Sequence, residues 1–284
     1  MNENSEKFPD YVTYARTFEK YKWYRPLLVI IIAAVIFFIL QLVVVGVLGV
    51  FYGWDYIVSL AQGGYNTLTS EAGSLVGFLT IVTFVPSLFI ASRIVKDRPF
   101  SSYSSSRGGW NWKLYFKCLV IPLIIYVVFN VVSVLIFGRK GHYSLTLPIL
   151  LISIFIVPLQ CIAEEYMVRG LIMQTLGAWF KIPIVAVVIQ AVIFALMHPY
   201  NLLGVIGIFI EGLVFGFLAW KSNGLEVGSA LHSVNNFSSS IFAALGFDLV
   251  SSVITPVDFA ADLFVSLVSA VVLYYVASKQ GWFN

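Results

Sequence analysis

The sequence predicts an all-α fold, a polytopic membrane bundle of about eight transmembrane helices around an intramembrane polar cavity. Three observations predict it. The 284 residues are 60% hydrophobic and only 11% charged, with a mean hydropathy of +0.91, whereas a soluble domain carries about 25% charged residues. Eight apolar runs approach the length of about 20 residues that a helix needs to cross a bilayer. Two of those runs hold ionisable or amide side chains well inside them, a placement that lipid tolerates where the group faces protein or a water-filled cavity.

Residues 1–26 come first, as a polar tail carrying Lys7, Arg16, Lys20, Lys22 and Arg25. The tail is too long and too mixed in charge for a signal-peptide n-region, and no small-residue cleavage site follows closely, so it reads as cytosolic. The runs follow at roughly 27–51, 75–94, 115–137, 147–176, 182–197, 202–220, 227–245 and 259–277. Each is read as a helix because lipid offers the backbone no hydrogen-bond partner. The segment 97–111, rich in Ser, Gly and Arg, reads as an exposed cytosolic loop. The expected organisation is a tail (1–26), three helices with a cytosolic loop at about 97–113 (27–146), a core of four helices (147–245), and a last helix with a short tail (246–284).

Loop charge sets the orientation. Beside the five basic residues of the tail, Arg93, Lys96, Arg98, Arg107 and Lys113 lie in the second loop, and Lys181, Lys221 and Lys279 fall on the same side if eight helices alternate. The other side has Arg139 and Lys140 with the acids Asp55, Glu71, Asp248 and Asp258. A multi-pass plasma-membrane protein with both termini cytosolic is expected. Cys118 and Cys161 lie in apolar runs and read as buried small hydrophobes, with neither a disulfide framework nor metal-ligand spacing. Nothing in the modest net charge of +3 points to nucleic acid.

The chemistry concentrates in the core. Glu164, Glu165 and Arg169 share one helix, and Glu165 and Arg169 are i,i+4 neighbours able to pair. Glu164 is turned by about 100° from Glu165, so one carboxylate can be charge-balanced while the other faces a cavity as a general base. His198 closes the fifth run, and a turn near 180–183 brings it back to the depth of the glutamates. His232 and Asn236 lie one turn apart on one face, and both can donate hydrogen bonds to a developing oxyanion. At a rise of 1.5 Å per residue, His232 stands only about 10 Å above the 221–226 turn. It reaches the same depth only if the fourth–fifth hairpin projects into the cytosol or the seventh helix bends. Each feature also has a structural reading: an ion pair, an interfacial histidine, interhelical polar contacts. Glu211, among small residues near Gly212 and Gly216, reads as a packing or hydrogen-bonding group.

The ordered set Glu164-Glu165-x-x-x-Arg169, Phe194-x-x-x-His198 and His232-x-x-x-Asn236 resembles the three motifs of the CAAX-protease and bacteriocin-processing (CPBP) family, which includes type II CAAX prenyl endopeptidases and Abi-type proteins. The Gly212-x-x-x-Gly216 segment leading into 221–231 is similar to the family's linker into the third motif. The resemblance implies an intramembrane endopeptidase in which Glu164 activates a water that His198 helps position. Glu165 and Arg169 would hold the constellation, and His232 and Asn236 would form the oxyanion hole. No cofactor is expected, an arginine beside the site being unfavourable to a dication; Glu164, His198 and His232 are the alternative zinc set on ligand type. The expected partners are the bilayer and a membrane-associated peptide or protein, in a bacterial setting, and the sequence sets no oligomeric state. Two other classes fit the same composition: a non-catalytic scaffold, immunity or regulatory protein of this fold, and an ion-coupled transporter, for which the missing internal repeat is adverse.

Overall fold

The computed structural model describes residues 8–62, 68, 70–138, 141–248 and 251–283, so Lys7, Arg139 and Lys140 of the charge argument lie outside the described residues. Nine helices account for most of the described residues, and no strand is found among them. Helix α1 is Arg25–Tyr52, with Pro26 in its first turn, where a missing N–H costs nothing. Helix α2 is the short Trp54–Gln62. Helix α3, Glu71–Val95, starts at Ser70, whose hydroxyl accepts from the Gly73 N–H. It breaks at Thr83, three residues before Pro86, whose ring opposes the carbonyl four residues earlier. Helix α4, Trp112–Phe137, is capped by the Asn111 side chain.

Helix α5 is a 34-residue unit, Leu147–Phe180, that widens twice into π-helical turns, at Ile152–Ile156 and at Tyr166–Met173. The first widening precedes Pro158 and relieves the clash of its ring with the preceding turn. The second starts immediately after Glu165 and contains Arg169. Such turns recur at functional sites. Lys181, in the left-handed conformation, ends α5. Helices α6 (Pro183–Leu196), α7 (Leu202–Lys221), α8 (Glu226–Ala244) and α9 (Pro256–Lys279) complete the bundle. All eight predicted runs are helical. Among the described residues six helices, α1, α3, α4, α5, α7 and α9, are long and apolar enough to cross a membrane, which makes this a multi-pass membrane protein. Helix α6 is too short for that test, at 14 residues, and α8 is too polar, so the expected count of eight spans is not reached on length and composition.

Helix α8 sits at the centre, packed on α4 and on the Val157–Glu165 stretch of α5, while α6 packs on α7 and α9 on α4 and α7. The α6–α7 contact depends on small residues: a Cβ at Gly212 would stand 3.0 Å from the Ala191 Cα.

The segments bearing most of the basic residues meet at one end of the bundle, and there one expectation is corrected. The 97–111 loop is largely folded in, with only Pro99, Ser101, Gly108 and Asn111 exposed. Asp97, Arg98 and Ser102 through Ser106 are buried. Arg98 bonds Gln174 of α5 and lies over the Tyr103 ring at 3.8 Å. Ser105 bridges to Gly224, and the Leu225 N–H donates to the Ser104 carbonyl at 2.9 Å. Burial pushes the Asp97 carboxyl above its ordinary pKa despite the neighbouring Arg98. The tail also folds back. Tyr11, Val12 and Ala15 are buried, and the Tyr11 hydroxyl donates to the Tyr103 carbonyl at 2.5 Å. Arg16 donates to the Ala178 carbonyl at 2.8 Å, and Val12 lies so close to Gly177 that no Cβ would fit there.

Candidate active site

The polar centre forms where the middle of α5 meets the first half of α8. Glu165 is fully buried, and its Oε1 accepts twice: from Arg169 Nη1 at 3.1 Å and from His232 Nδ1 at 3.0 Å. Arg169 is also fully buried, its guanidinium over the Phe194 ring at 4.3 Å and the Phe215 ring at 5.2 Å, with Nη2 donating to the Gly212 carbonyl at 3.4 Å. The arginine is thus enclosed by α6, which carries the second motif, and by α7, which carries the glycine segment leading to the third. The two side chains form an i,i+4 ion pair, and the same carboxylate oxygen bonds the histidine.

His232 stacks on Phe215, with ring centroids 4.8 Å apart and planes 19° from parallel. With Nδ1 committed to Glu165, its Nε2 faces Glu164 Oε2 at 3.5 Å and Asn236 Nδ2 at 3.4 Å. Glu164 is 7% exposed, unlike its neighbour, as the 100° helical step predicts. The contact between His232 and Glu165 resolves the depth question. Helix α8 is unbroken from Glu226 to Ala244, so the histidine lies roughly 9 Å beyond its start, whereas Glu165 lies roughly 22 Å from the end of α5. The α5–α6 hairpin therefore projects past the start of α8, and the folded-back tail packs on that projection.

His198 is placed differently. It is half-buried at the end of α6, its Nδ1 bonds the Phe194 carbonyl at 2.8 Å, and its ring stacks on Tyr200. A backbone carbonyl can only accept, so Nδ1 carries the proton and Nε2 of the neutral ring is an acceptor. Phe194 stands between the histidines, its centroid 4.8 Å from His198 and 6.1 Å from His232. Glu164, Glu165, Arg169, His232 and Asn236 are thus linked by direct contacts, and His198 joins them through one aromatic ring. The zinc set Glu164, His198 and His232 does not converge. Among the described residues no three His, Cys, Asp or Glu side chains are grouped to hold a metal ion.

Sequence reasoning missed two amides. Gln160 Oε1 accepts from Asn236 Nδ2 at 3.4 Å, and fully buried Gln190 donates to the Gly212 carbonyl at 2.7 Å, beside Arg169. Both are uncharged polar residues in apolar runs, and Gln160 precedes Glu164 by one turn, which was the available signal. Cys118 and Cys161 are free and buried, as read from the apolar runs that hold them.

Comparison with known proteins locates the same region. Residues 144–238 match a family model described as Type II CAAX prenyl endopeptidase Rce1-like. The match spans all six motif residues, from Glu164 to Asn236, and bears out the resemblance drawn from them. The chain is also 26% identical over 173 residues to YyaK of Bacillus subtilis (strain 168), an uncharacterized protein. That similarity covers 56% of this chain and 57% of the relative's length. No solved structure matches.

Proposed function

We propose that this chain is a metal-free intramembrane endopeptidase that hydrolyses a peptide bond in a membrane-associated peptide or protein. The observation that carries the reading is the hydrogen-bonded set Arg169–Glu165–His232, with Asn236 Nδ2 and Glu164 beside His232 Nε2, buried within the segment that matches an endopeptidase family. In this reading Glu164 takes a proton from water as the oxygen attacks the scissile carbonyl carbon, and His198 Nε2 holds that water. The resulting oxyanion receives hydrogen bonds from Asn236 Nδ2 and from His232 Nε2–H. When the tetrahedral intermediate collapses, the C–N bond breaks and Glu164 returns its proton to the leaving amine.

Charge supports these roles. With His232 as imidazolium, two carboxylates face two cations, and the buried centre is net neutral. Glu165 orients His232 and stabilises its charge, as a buried carboxylate does beside a catalytic imidazole. The gathering of basic segments at one end supports a plasma-membrane orientation with that end, and both termini, in the cytosol. The test is cleavage of a panel of fluorogenic lipidated peptides by purified protein in detergent, with and without chelator. Activity that survives chelation and is lost in Glu164→Gln is expected. Activity lost to chelator and restored by zinc would move the site to metal chemistry.

A further inference from the structure

A row of polar side chains continues from the centre toward α4, and the mechanism above does not use it. Tyr126 of α4 is 3% exposed and donates its hydroxyl proton to Asn235 Oδ1 at 3.0 Å across the α4–α8 interface. With its oxygen end held there, the Asn235 carboxamide turns Nδ2 toward its neighbour and donates to Asn236 Oδ1 at 3.3 Å. Asn236 Oδ1 is thereby occupied, and its Nδ2 is directed at Gln160 Oε1 and His232 Nε2, each at 3.4 Å.

A carboxamide has one end that only accepts and one that only donates, and its partners decide which end faces where. Successive residues on a helix diverge by about 100°, so contact between Asn235 and Asn236 is a particular rotamer choice rather than a consequence of adjacency. Tyr126 fixes the first amide, the first fixes the second, and the second presents N–H to the reacting centre. Turned over, Asn236 would present lone pairs to a developing negative charge.

We propose that Tyr126 and Asn235 are positioning residues of the hydrolytic site: together they set which end of the Asn236 carboxamide meets the oxyanion. The inference rests on the reading of Asn236 as an oxyanion donor. It adds to the site a side chain from α4, outside the 144–238 segment of the family match.

The test uses the full chain in detergent and the best-cleaved peptide of the panel. Tyr126→Phe removes one oxygen and should lower kcat about tenfold with KM unchanged, the size typical of losing a group that orients a reacting residue; Asn235→Ala should do the same. In an Asn236→Ala background, Tyr126→Phe should have no further effect, because there is no longer an amide to orient. A wild-type kcat in Tyr126→Phe, or the same tenfold loss in the Asn236→Ala background, would overturn the proposal and leave Tyr126 as interhelical packing. A second readout does not depend on activity. With ¹⁵N-labelled asparagine, Tyr126→Phe should move the side-chain amide signals that Asn236→Ala deletes, while Tyr274→Phe on α9 leaves them in place. If the wild type cleaves nothing, the peptidase reading fails by itself, and unmoved Asn236 signals would then separately overturn the positioning role.

Discussion

Of the buried carboxylate–guanidinium pairs among the described residues, Glu226–Arg107 and Glu165–Arg169 have contrasting surroundings. At the basic end, Glu226 Oε2 pairs with Arg107 Nη2 at 2.5 Å while Oε1 accepts the Asn111 N–H at 2.9 Å. Both oxygens are held by the 97–111 loop, and no histidine shares them. In the centre, Glu165 Oε1 carries both Arg169 and His232, Oε2 has no hydrogen-bond partner, and a second carboxylate stands on the far side of the imidazole. The first pair clamps a loop to the start of α8. The second holds a titratable ring between two acids. Burial and pairing are common to both; the shared oxygen and the titratable partner are found at the second.

Substitutions can break or sharpen that contrast. The largest effect is expected at Glu164. Glu164→Gln should cut kcat by about 10²–10⁴-fold, the usual contribution of a general base, with an unchanged unfolding temperature in detergent; a large thermal shift would make Glu164 a structural residue. Asn236→Ala should follow, lowering kcat by about 10²–10³-fold as the loss of one oxyanion donor does, checked by steady-state kinetics on the same peptide. Glu226→Gln should reverse the pattern. It leaves Arg107 buried beside a neutral partner, so about 3–5 kcal/mol of stability should go while kcat per folded molecule stays at the wild-type value. The smallest effect belongs to the tail. Trp220→Phe removes the indole N–H that donates to Asp10 Oδ2 at 2.7 Å, and should cost about 1 kcal/mol, seen as a slightly lower unfolding temperature with activity intact.

The two pairs were not equally legible. Glu165–Arg169 is local: an i,i+4 spacing inside an apolar run reveals both partners, and lipid makes a charge there conspicuous. Glu226–Arg107 joins residues more than a hundred positions apart, and the Ser, Gly and Arg of the 97–111 loop have the same composition whether they face water or fold against Gln174 and Gly224. The helices were readable for the reason the loop was not, since hydropathy records the solvent of each face but not the partner of a polar loop. The short α6 and the polar α8 show the limit of that rule. Both run as helices through the functional core, where other helices supply the surroundings that lipid supplies to α1. Gln160 and Gln190 escaped notice because an amide is uncharged and inexpensive beside a carboxylate, although each lies within hydrogen-bond reach of the centre.

The most direct test of the central claim is hydrolysis of a cleavable peptide in ¹⁸O-labelled water, with wild type and Glu164→Gln compared by mass spectrometry. One labelled oxygen in the new carboxyl group from the wild type, and no product from Glu164→Gln beyond background, is the predicted result. Product formed by Glu164→Gln at the wild-type rate would contradict the account and remove Glu164 from the chemistry.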